Sequence, residues 1–553
     1  MTTTPRVHWW ISLALLLLSG FMGMVFFGPR ESLPVIERRL EDNNVLRVAY
    51  VQLLIPDPHR RTYPVPAHNQ FILSLWEPLV ECDPATGQPQ PAAAQSWSWS
   101  SDRRVLTLKL RPDARWSNGD PVKAADFVRS WRRVLRCNMD LAATLFPLKN
   151  AEAFFNGTLP QPEAVGVRAL DDFTLQVELD HPRATFVAEL ADPMLSPLHE
   201  TSEKVIANHG YFAQPAALVT NGPFRLVRAN YDGFRLEAGE YYHDRASVRL
   251  VGVQFVRLDY VGAAPLLVAA GVVDLFSQAP SVQPGRRLPT ARPVRVDSEL
   301  VLGVTTIDLN VTRGPLRDVR VRQALSLALD RAGAIEKLDP GHMEPANSWV
   351  PGMPGRAGLA LLHENADEAR RLLAAAGYPG GRGFPVLRMA LPMRYQRDPF
   401  PAACCERWFQ QLGIRTYITY EPPMWLTPRL MAGDYDLFYG TLIATVPDAG
   451  DLLRWFLAPP SGSSYSKWSD PVVVSTLHQA DTKNGEERRV ALESAERLAM
   501  AAQPTIPVMF ERRQALHAAE VQGWYADPLG RQSFKRLWLE NKPGHDTALA
   551  PRS

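Results

Sequence analysis

The order of apolar and polar residues predicts a chain of alternating short strands and helices. Residues 46–53 form one strand candidate, and apolar residues alternate with polar ones at 106–110 and 173–179, the period of a half-buried strand. Between those two strands, the apolar residues of 124–135 recur at helical spacing and give this helix one face to bury. Further strands, expected to be antiparallel, are predicted at 224–226, 234–236 and 251–255. The pattern indicates a mixed α/β fold.

Capping residues mark the helix boundaries in the second half of the chain. Asp318 is expected to cap the helix that follows it, and Asn365 with Glu368 forms an Asn-type capping box. Gly377 stands where the helix after this box needs a left-handed C-cap. A last helix is predicted at 486–502, and the run TIPVMFE behind it is expected to return the chain to a sheet.

The first 30 residues are expected to anchor the chain in a membrane. Val7 to Phe27 are 21 nearly uncharged residues, enough to cross a bilayer core as a helix. A cleaved signal peptide is less favoured because no A-x-A pattern follows and no cysteine is present for lipid attachment, and a buried core helix is the other alternative. We expect an uncleaved anchor with the body on the outer face, and a disordered tail at 544–553.

Composition narrows the possible functions. The chain has 553 residues, enough for several domains, and its 60 Lys and Arg against 58 Asp and Glu leave a net charge of +2. This balance argues against a nucleic-acid partner, which would require a basic surface. Four cysteines are too few for a disulfide-dense scaffold, and a single anchor does not make a channel or permease.

The chain lacks the usual catalytic and metal-binding motifs. It contains no GxSxG, HExxH, GxxxxGK[ST] or strand-linked GxGxxG, so we expect no enzyme, no cofactor and no metal site. The pair His363-Glu364 is expected to be solvated, and Cys404-Cys405 to pack in a helix. Cys82 and Cys137 could form a disulfide, which the sequence leaves open.

A long run of motifs resembles a known family. The stretch LTLKLRPDARWSNGDPVKAADFVRSWRRVL (Leu106 to Leu135) is similar to the signature region of family 5 extracellular solute-binding proteins, the oligopeptide- and dipeptide-binding type. Matching segments continue in the same order, with VTNGPFRL, RGPLRDVRVRQALSLALDR, DEARRLLAAAGYPGGRGFP and GDYDLFYG. The resemblance departs at Lys123, where the family usually has a hydroxyl residue that caps the helix, so another group must supply the cap.

The resemblance implies a periplasmic-binding-protein-like, two-lobe hinged fold of type II with an extra small domain. Lobe I would combine 45–80, 205–303 and 515–543, the small domain would be 81–204, and lobe III would be 304–514. A solute would lie in the cleft between the closing lobes. For peptide-binding members, the resemblance implies that an extended peptide pairs its backbone with exposed strand edges.

The resemblance also suggests ligand-binding residues, with one clear departure. Peptide-binding relatives place an Asp that pairs with the peptide amine at the position of Thr445, so a ligand with a free amine is in doubt. Asp448 could compensate, although a cap for the following helix is the favoured alternative. Glu77 matches a Glu that often lies near the cleft, with a structural hydrogen-bonded role as the alternative.

Three further candidates follow from their positions alone. They are expected to line the ligand site or, as the stronger alternative, to pack in the core: Tyr50, Asn310 and Tyr439.

Two functions remain open at this stage. The first is a membrane-anchored, extracytoplasmic solute-binding protein, expected to be a monomer, that delivers a peptide-like or elongated solute to an ABC permease with its ATPase subunits. The second is a receptor or scaffold of the same fold whose ligand site has drifted and which is not used for uptake. The Thr445 departure and the missing lipid-attachment cysteine favour the second somewhat.

Overall fold

A computed structural model describes most of the chain after the first 43 residues. The described residues are 44–51, 54–60, 66–84, 86–137, 139–279, 292–338, 343–353, 357–457, 464–525, 527 and 529–540. The expected anchor at 1–30 and the expected tail at 544–553 lie outside these residues. Within the ranges given, no helix combines the length and the apolar composition that crossing a membrane requires.

Nineteen strands are described, most of them short. They are β1 (Val45–Tyr50), β2 (Val80–Cys82), β3 (Pro89–Pro91), β4 (Ala94–Trp99), β5 (Val105–Leu110), β6 (Val167–Asp171), β7 (Thr174–Glu178), β8 (Phe224–Asn230), β9 (Gly233–Ala238), β10 (Gly252–Arg257), β11 (Leu275–Ala279), β12 (Val294–Leu309), β13 (Glu344–Pro345), β14 (Leu387–Pro392), β15 (Thr416–Glu421), β16 (Leu437–Ile443), β17 (Thr505–Ala518), β18 (Val521–Gln522) and β19 (Trp538–Leu539). The predicted alternation of strands and helices is therefore confirmed.

Fifteen α-helices are described between and around these strands. They are α1 (Pro66–Leu75), α2 (Ala124–Cys137), α3 (Met139–Leu145), α4 (Ala151–Phe155), α5 (Phe186–Glu189), α6 (Glu200–Ala207), α7 (Ala264–Ala269), α8 (Val319–Leu327), α9 (Arg331–Leu338), α10 (Ala366–Ala375), α11 (Phe400–Leu412), α12 (Pro423–Ala432), α13 (Ala449–Leu457), α14 (Pro471–Thr482) and α15 (Gly485–Ala502).

One 11-stranded sheet organises most of the molecule. Its order is β15-β14-β16-β12-β17-β11-β1-β10-β9-β8, with β13 added beside β17. We call β1 and β8–β11 the first sheet half and β14–β16 the second sheet half. The strands β8, β9 and β10 pair antiparallel, as predicted, whereas β1 pairs parallel with β10. Apolar clusters cover each half separately, so each half has its own core.

The strands β12 and β17 join the two halves, and we call them the connecting strands. They have 16 and 14 residues and pair antiparallel with each other along most of their length. One end of β17 pairs with β11 of the first half, and the opposite end of β12 pairs with β16 of the second. Between the pairs Leu300–Arg512 and Val304–Phe510 the register shifts, because more residues of β12 than of β17 lie there.

A separate four-stranded antiparallel sheet, β4-β5-β7-β6, carries the motif-rich region. Its apolar face includes Leu106, Leu108 and Leu175, all fully buried. The helix α2 turns Phe127 and Trp131 toward the same core, as its predicted apolar face requires. The predicted strands and helix of this region are thus confirmed within one or two residues of their expected ends.

The start of α2 is capped from within the helix. The backbone N–H of Lys123 donates to Asp126 Oδ2 at 3.0 Å, and the indole of Trp116 donates to the same oxygen at 3.2 Å. Asp126 therefore supplies the carboxylate half of a capping box, although Lys123 has no hydroxyl to supply the other half. Gly119 adopts the positive φ of 91° that the preceding turn needs.

The caps predicted in the second half of the chain are also present. Asp318 accepts a hydrogen bond from the Arg320 N–H, and Asn365 accepts one from the Glu368 N–H. Gly377 has φ of 97° just after α10. The strand predicted from TIPVMFE is longer than expected, because it continues beyond Glu511 to Ala518. Polar residues follow Glu511, and they also fit a strand that pairs with another strand on each side.

We expect Asp126→Ala to lower the free energy of unfolding by about 1–2 kcal/mol, because Lys123 N–H and Trp116 Nε1 both lose their acceptor. Urea unfolding followed by tryptophan fluorescence measures the change. The matched control is Glu152→Ala, an exposed acidic residue in the first turn of α4, with a change below about 0.5 kcal/mol. Equal effects of the two substitutions would contradict the assigned cap.

Candidate functional site

A cavity with a volume of about 980 Å³ lies beside the connecting strands. One side of the cavity is lined by Asn69 of α1 and by the loop residues Asp192 and Arg531. Strands β12, β16 and β17 and the start of α11 form the opposite wall. Cavities of about 300–1,000 Å³ are typical of small-molecule sites, so this one can hold a large ligand. We call it the large cavity.

A hydrogen-bonded polar network stands in the wall formed by the connecting strands. The hydroxyl of Thr305 donates to Glu511 Oε1 at 2.5 Å, and that of Thr441 donates to the same oxygen at 3.1 Å. The Tyr395 hydroxyl lies 3.0 Å from Thr441 Oγ1 and accepts from the Thr441 N–H. These bonds hold polar groups of four chain segments in fixed positions before any ligand arrives.

Tyr439, one of the residues predicted from the sequence, lies in the wall of the large cavity. Its hydroxyl donates to Asp398 Oδ2 at 2.9 Å, and its ring meets that of Tyr395 edge to face at 5.2 Å. Burial raises the pKa of Tyr439, and the neighbouring Asp398 carboxylate adds to the effect. Asp398 also caps α11 through the Phe400 N–H, so its two oxygens are both engaged.

Thr445, the site of the sequence departure, also lies in this wall. Its N–H and hydroxyl donate to Asp451 Oδ2 at 2.6 and 3.0 Å, and its carbonyl accepts from Arg531. Asp451 is buried, and this burial raises its pKa. The polar groups of Thr445 are thus engaged by the protein, and its side chain carries no charge toward a ligand.

Three other predicted residues lie outside the wall of the large cavity. Asp448 accepts from the Gly450 N–H at 2.7 Å and from Arg488 at 2.7 Å, as a cap of α13 would. Asn310 is fully buried and donates to two backbone carbonyls, those of Gly433 and Tyr435.

Tyr50, the third of these residues, packs beside Phe234 and Phe255 in the core of the first half, and burial raises its pKa to about 12. For Asp448, Asn310 and Tyr50 the geometry matches the structural alternative that the sequence left open.

Glu77 lines a different, smaller cavity of about 60 Å³. Its carboxylate accepts from the Tyr242 hydroxyl and contacts His243 Nε2 at 2.8 Å, while Asn221 bonds its backbone. Glu77 is buried and fully engaged, which is the geometry of a structural carboxylate.

The large cavity also contains charged residues that the sequence did not single out. Glu511 and Arg513 stand two residues apart on β17 and therefore share a face of the strand, and Arg531 follows in a later loop. The predicted strand TIPVMFE ended at Glu511, so Arg513 lay outside it. Continuing the period-2 alternation of Met509 and Glu511 would have found Arg513, whereas nothing in the local sequence marks Arg531.

The cysteines and the His-Glu pair carry no sign of a reactive site. Cys82 is a free thiol, and burial raises its pKa to about 11 and that of Cys405 to about 12. Cys404 is buried in α11, as predicted for helix packing. Glu364 accepts from the Arg331 N–H. Across the described ranges, no three His, Cys, Asp or Glu side chains are grouped as metal ligands.

Comparison with known proteins identifies similar sequences and folds. Residues 88–464 match the family model for bacterial extracellular solute-binding proteins, family 5. The periplasmic murein peptide-binding protein MppA of Escherichia coli is 27% identical over 79% of this chain and 82% of its own length. The probable deoxycholate-binding periplasmic protein YgiS of Escherichia coli is 29% identical over 80% of this chain and 83% of its own.

A solved structure supports the same assignment of the fold. The Escherichia coli murein tripeptide binding protein MppA superposes with a TM-score of 0.73 at 25% identity, over 90% of this chain and 98% of that one. The expected α/β, periplasmic-binding-protein-like fold with two lobes is therefore confirmed.

We expect Asp308→Asn to change the stability of the protein in a pH-dependent way. Asp308 of β12 is buried, accepts from the Thr505 hydroxyl at 2.6 Å, and has its pKa raised by burial to about 7. Between about pH 4 and pH 7 the unfolded chain has released this proton while the folded chain retains it, so the wild type loses stability as the pH rises.

The variant lacks this titration, so its stability relative to wild type should increase by up to about 1.4 kcal/mol per pH unit over that window. Urea unfolding at pH 5, 6, 7 and 8 measures the difference. A difference that is constant with pH would contradict the raised pKa.

Proposed function

Because this chain belongs to the bacterial extracellular solute-binding proteins of family 5, we propose that it captures a peptide-like or otherwise elongated solute between its two lobes. In this proposal it then delivers the solute to an ABC permease with its ATPase subunits. The observation that carries the proposal is the large cavity, which is lined by α1 and nearby loops on one side, by β12, β16 and β17 on the other, and which contains a hydrogen-bonded polar network. A pocket made by two bodies can enclose a solute when they approach each other.

The connecting strands are the proposed hinge. They run between the sheet halves, and their register shifts next to Glu511, where regular pairing stops. A local break in a ladder concentrates the change of backbone angles in a few residues. We place lobe I at 45–80, 205–303 and 515–543, the small domain at 81–204 and lobe III at 304–514. The two boundaries between lobe I and lobe III, at 303/304 and 514/515, lie near the register shift.

Relatives of this chain carry names that cover two kinds of solute, a murein peptide and deoxycholate. Both are elongated and carry a carboxylate, and the cavity of about 980 Å³ is roomy enough for either size class. Because Thr445 offers no carboxylate, the proposed solute does not depend on a free amine at that position. We retain Tyr439 and Thr445 as the proposed ligand-contacting residues among those first suggested by the sequence.

Binding without chemistry is part of the proposal. The described wall of the large cavity contains no histidine, cysteine or serine, the residue types that most often serve as nucleophile and base. A receptor or scaffold with a drifted ligand site is less favoured, because such drift gives no reason for a large cavity with an ordered polar network.

The proposal also includes the location of the protein. We place the body on the outer face of the cell membrane, as a monomer tethered by residues 1–30, close to its permease. The apolar run Val7 to Phe27 supports the tether by its length.

We expect peptides to bind to the wild-type chain and Asn69→Trp to weaken their binding at least about tenfold, because an indole at Asn69 occupies the large cavity. The measurement is the thermal unfolding midpoint of the full-length chain in mild detergent, titrated with random tetrapeptide and pentapeptide mixtures. A ligand at 100 times its dissociation constant stabilises the folded state by about 2.7 kcal/mol.

The matched control is Leu266→Trp, which adds the same indole at an exposed position of α7 outside the cavity. It should bind as the wild type does. Equal binding by Asn69→Trp would show that the peptides bind elsewhere, and a wild-type chain that no mixture stabilises would contradict peptide capture.

We expect the full-length chain to sediment with membranes and to resist extraction by carbonate, since the apolar run of 21 residues can span the bilayer core. A variant without residues 1–30 that keeps a cleavable secretion signal should appear in the soluble extracytoplasmic fraction. Mass spectrometry of the intact wild-type chain checks its first residue. A mature chain that begins after Phe27 would contradict the uncleaved tether.

A further inference from the structure

The acidic residues in the wall of the large cavity already have donors from the protein. Glu511 accepts from Thr305 and Thr441, and Asp398 accepts from the Tyr439 hydroxyl and the Phe400 N–H. On the other wall, Asp192 accepts from the Met194 N–H and from Arg531. A ligand ammonium group would therefore have to compete with these donors for each carboxylate.

Two guanidinium groups that line the large cavity, one on each side, have nitrogens without an acceptor. The guanidinium of Arg513 has no hydrogen bond and no ion pair to any residue in the described part of the chain, and its Nη1 is enclosed and unpaired. Arg531 uses Nη2 to reach Asp192 and the Thr445 carbonyl, but its Nη1 is likewise enclosed without an acceptor. Buried donors without acceptors are rare in folded proteins and point to a missing partner.

The surroundings of Arg513 keep it in place without satisfying it. It stands directly across the ladder from Glu299, and Glu511 lies two residues away on the same face of β17. Trp524 Nε1, the Asp527 N–H and the Gln532 amide all donate to the Glu299 carboxylate, so both of its oxygens already accept hydrogen bonds. Burial lowers the pKa of Arg513, and the charges of Glu511, Asp527 and Glu299 oppose this effect from a distance.

A carboxylate is the natural partner for such a group. Leaving a guanidinium in a cavity without a counter-ion costs free energy, and the planar fork of an arginine matches the two oxygens of a carboxylate. Building on the function proposed above, we propose that Arg513 and Arg531 form an anion-binding subsite of the large cavity, and that this subsite holds the solute by a carboxylate group.

This subsite makes a free amine on the solute unnecessary. Thr445 gives its N–H and hydroxyl to Asp451, so its position supplies no negative charge to an ammonium group. The charged contacts that remain open are donors. The solute class that follows is an elongated acid, such as a peptide with a free carboxyl end and a free or blocked amino end.

The position of Arg513 also connects the subsite with lobe closure. It lies on β17 one residue beyond Arg512, where regular pairing with β12 resumes after the register shift. Arg531, by contrast, comes from a loop that contacts both Asp192 and the Thr445 carbonyl. A carboxylate bound by both arginines would therefore link the connecting strand to that loop.

The test compares three matched tetrapeptide mixtures on the full-length chain in mild detergent: free acids, the same peptides as carboxyl-terminal amides, and the same acids with acetylated amino ends. Calorimetric titration measures the affinities. We expect acids and acetylated acids to bind alike, and amides to bind at least about tenfold more weakly, because a charged hydrogen-bonded pair is lost.

Two variants assign the effect to the subsite. In Arg513→Gln the acids should lose at least about tenfold in affinity and bind like the amides. The control is Arg512→Gln, since Arg512 points to the opposite face of β17 and pairs with Glu344, and it should keep the preference for acids.

The outcomes separate the inference from the function it rests on. If amides bind the wild type as tightly as acids do, the anion subsite is overturned while peptide capture remains intact. The same holds if Arg513→Gln keeps an unchanged preference for acids over amides. A wild-type chain that binds none of the three mixtures would overturn peptide capture itself. The acid–amide comparison uses the wild type alone, so it holds even if a variant folds poorly.

Discussion

The antiparallel pairing of β12 with β17 is the constraint on which the rest of the structure depends. These two strands are long, and between them they join the sheet halves, because β17 pairs with β11 of the first half and β12 pairs with β16 of the second. Their ladder keeps two separately packed cores in one sheet. The register shift in the middle interrupts the ladder at the point where the large cavity opens. The connection between the sheet halves, the proposed hinge and the candidate site therefore all depend on one short stretch of β12 and β17.

The chemistry of the candidate site follows from the same strands. Side chains alternate along β17, so Met509, Glu511 and Arg513 face the large cavity while Arg512 faces away. Thr305 of β12 lies directly opposite Thr441 of β16, and both hydroxyls donate to Glu511, which lies at the register shift of β17. The result is a wall with satisfied acceptors and unsatisfied donors. Such a wall favours a negatively charged group on the solute.

Much of the fold could be predicted from the sequence because the signals are local. Alternating leucines specify β5, the apolar face of α2 specifies its packing, and Asp318 and Asn365 cap the helices that follow them. The resemblance to a family supplied the order of these elements in space. Caps and periodicity involve residues a few positions apart, which is why they are visible in a linear sequence.

The site could be predicted only in part, because its contacts join distant segments. Tyr439 and Thr445 lie in the large cavity, but Tyr50, Glu77 and Asn310 have polar or aromatic partners elsewhere in the fold. The guanidinium of Arg531 reaches Thr445 across 86 positions of the chain. Whether a buried arginine has a partner depends on three-dimensional packing, so the unpaired state of Arg513 has no local sequence signal.

The most direct test of solute capture is native mass spectrometry of the full-length chain released from detergent micelles. The account predicts a chain that carries one small solute, in a ratio of one to one, which denaturation releases intact for identification. A chain that has only its own mass, both as purified and after incubation with peptide mixtures, would contradict the claim that the large cavity captures a solute.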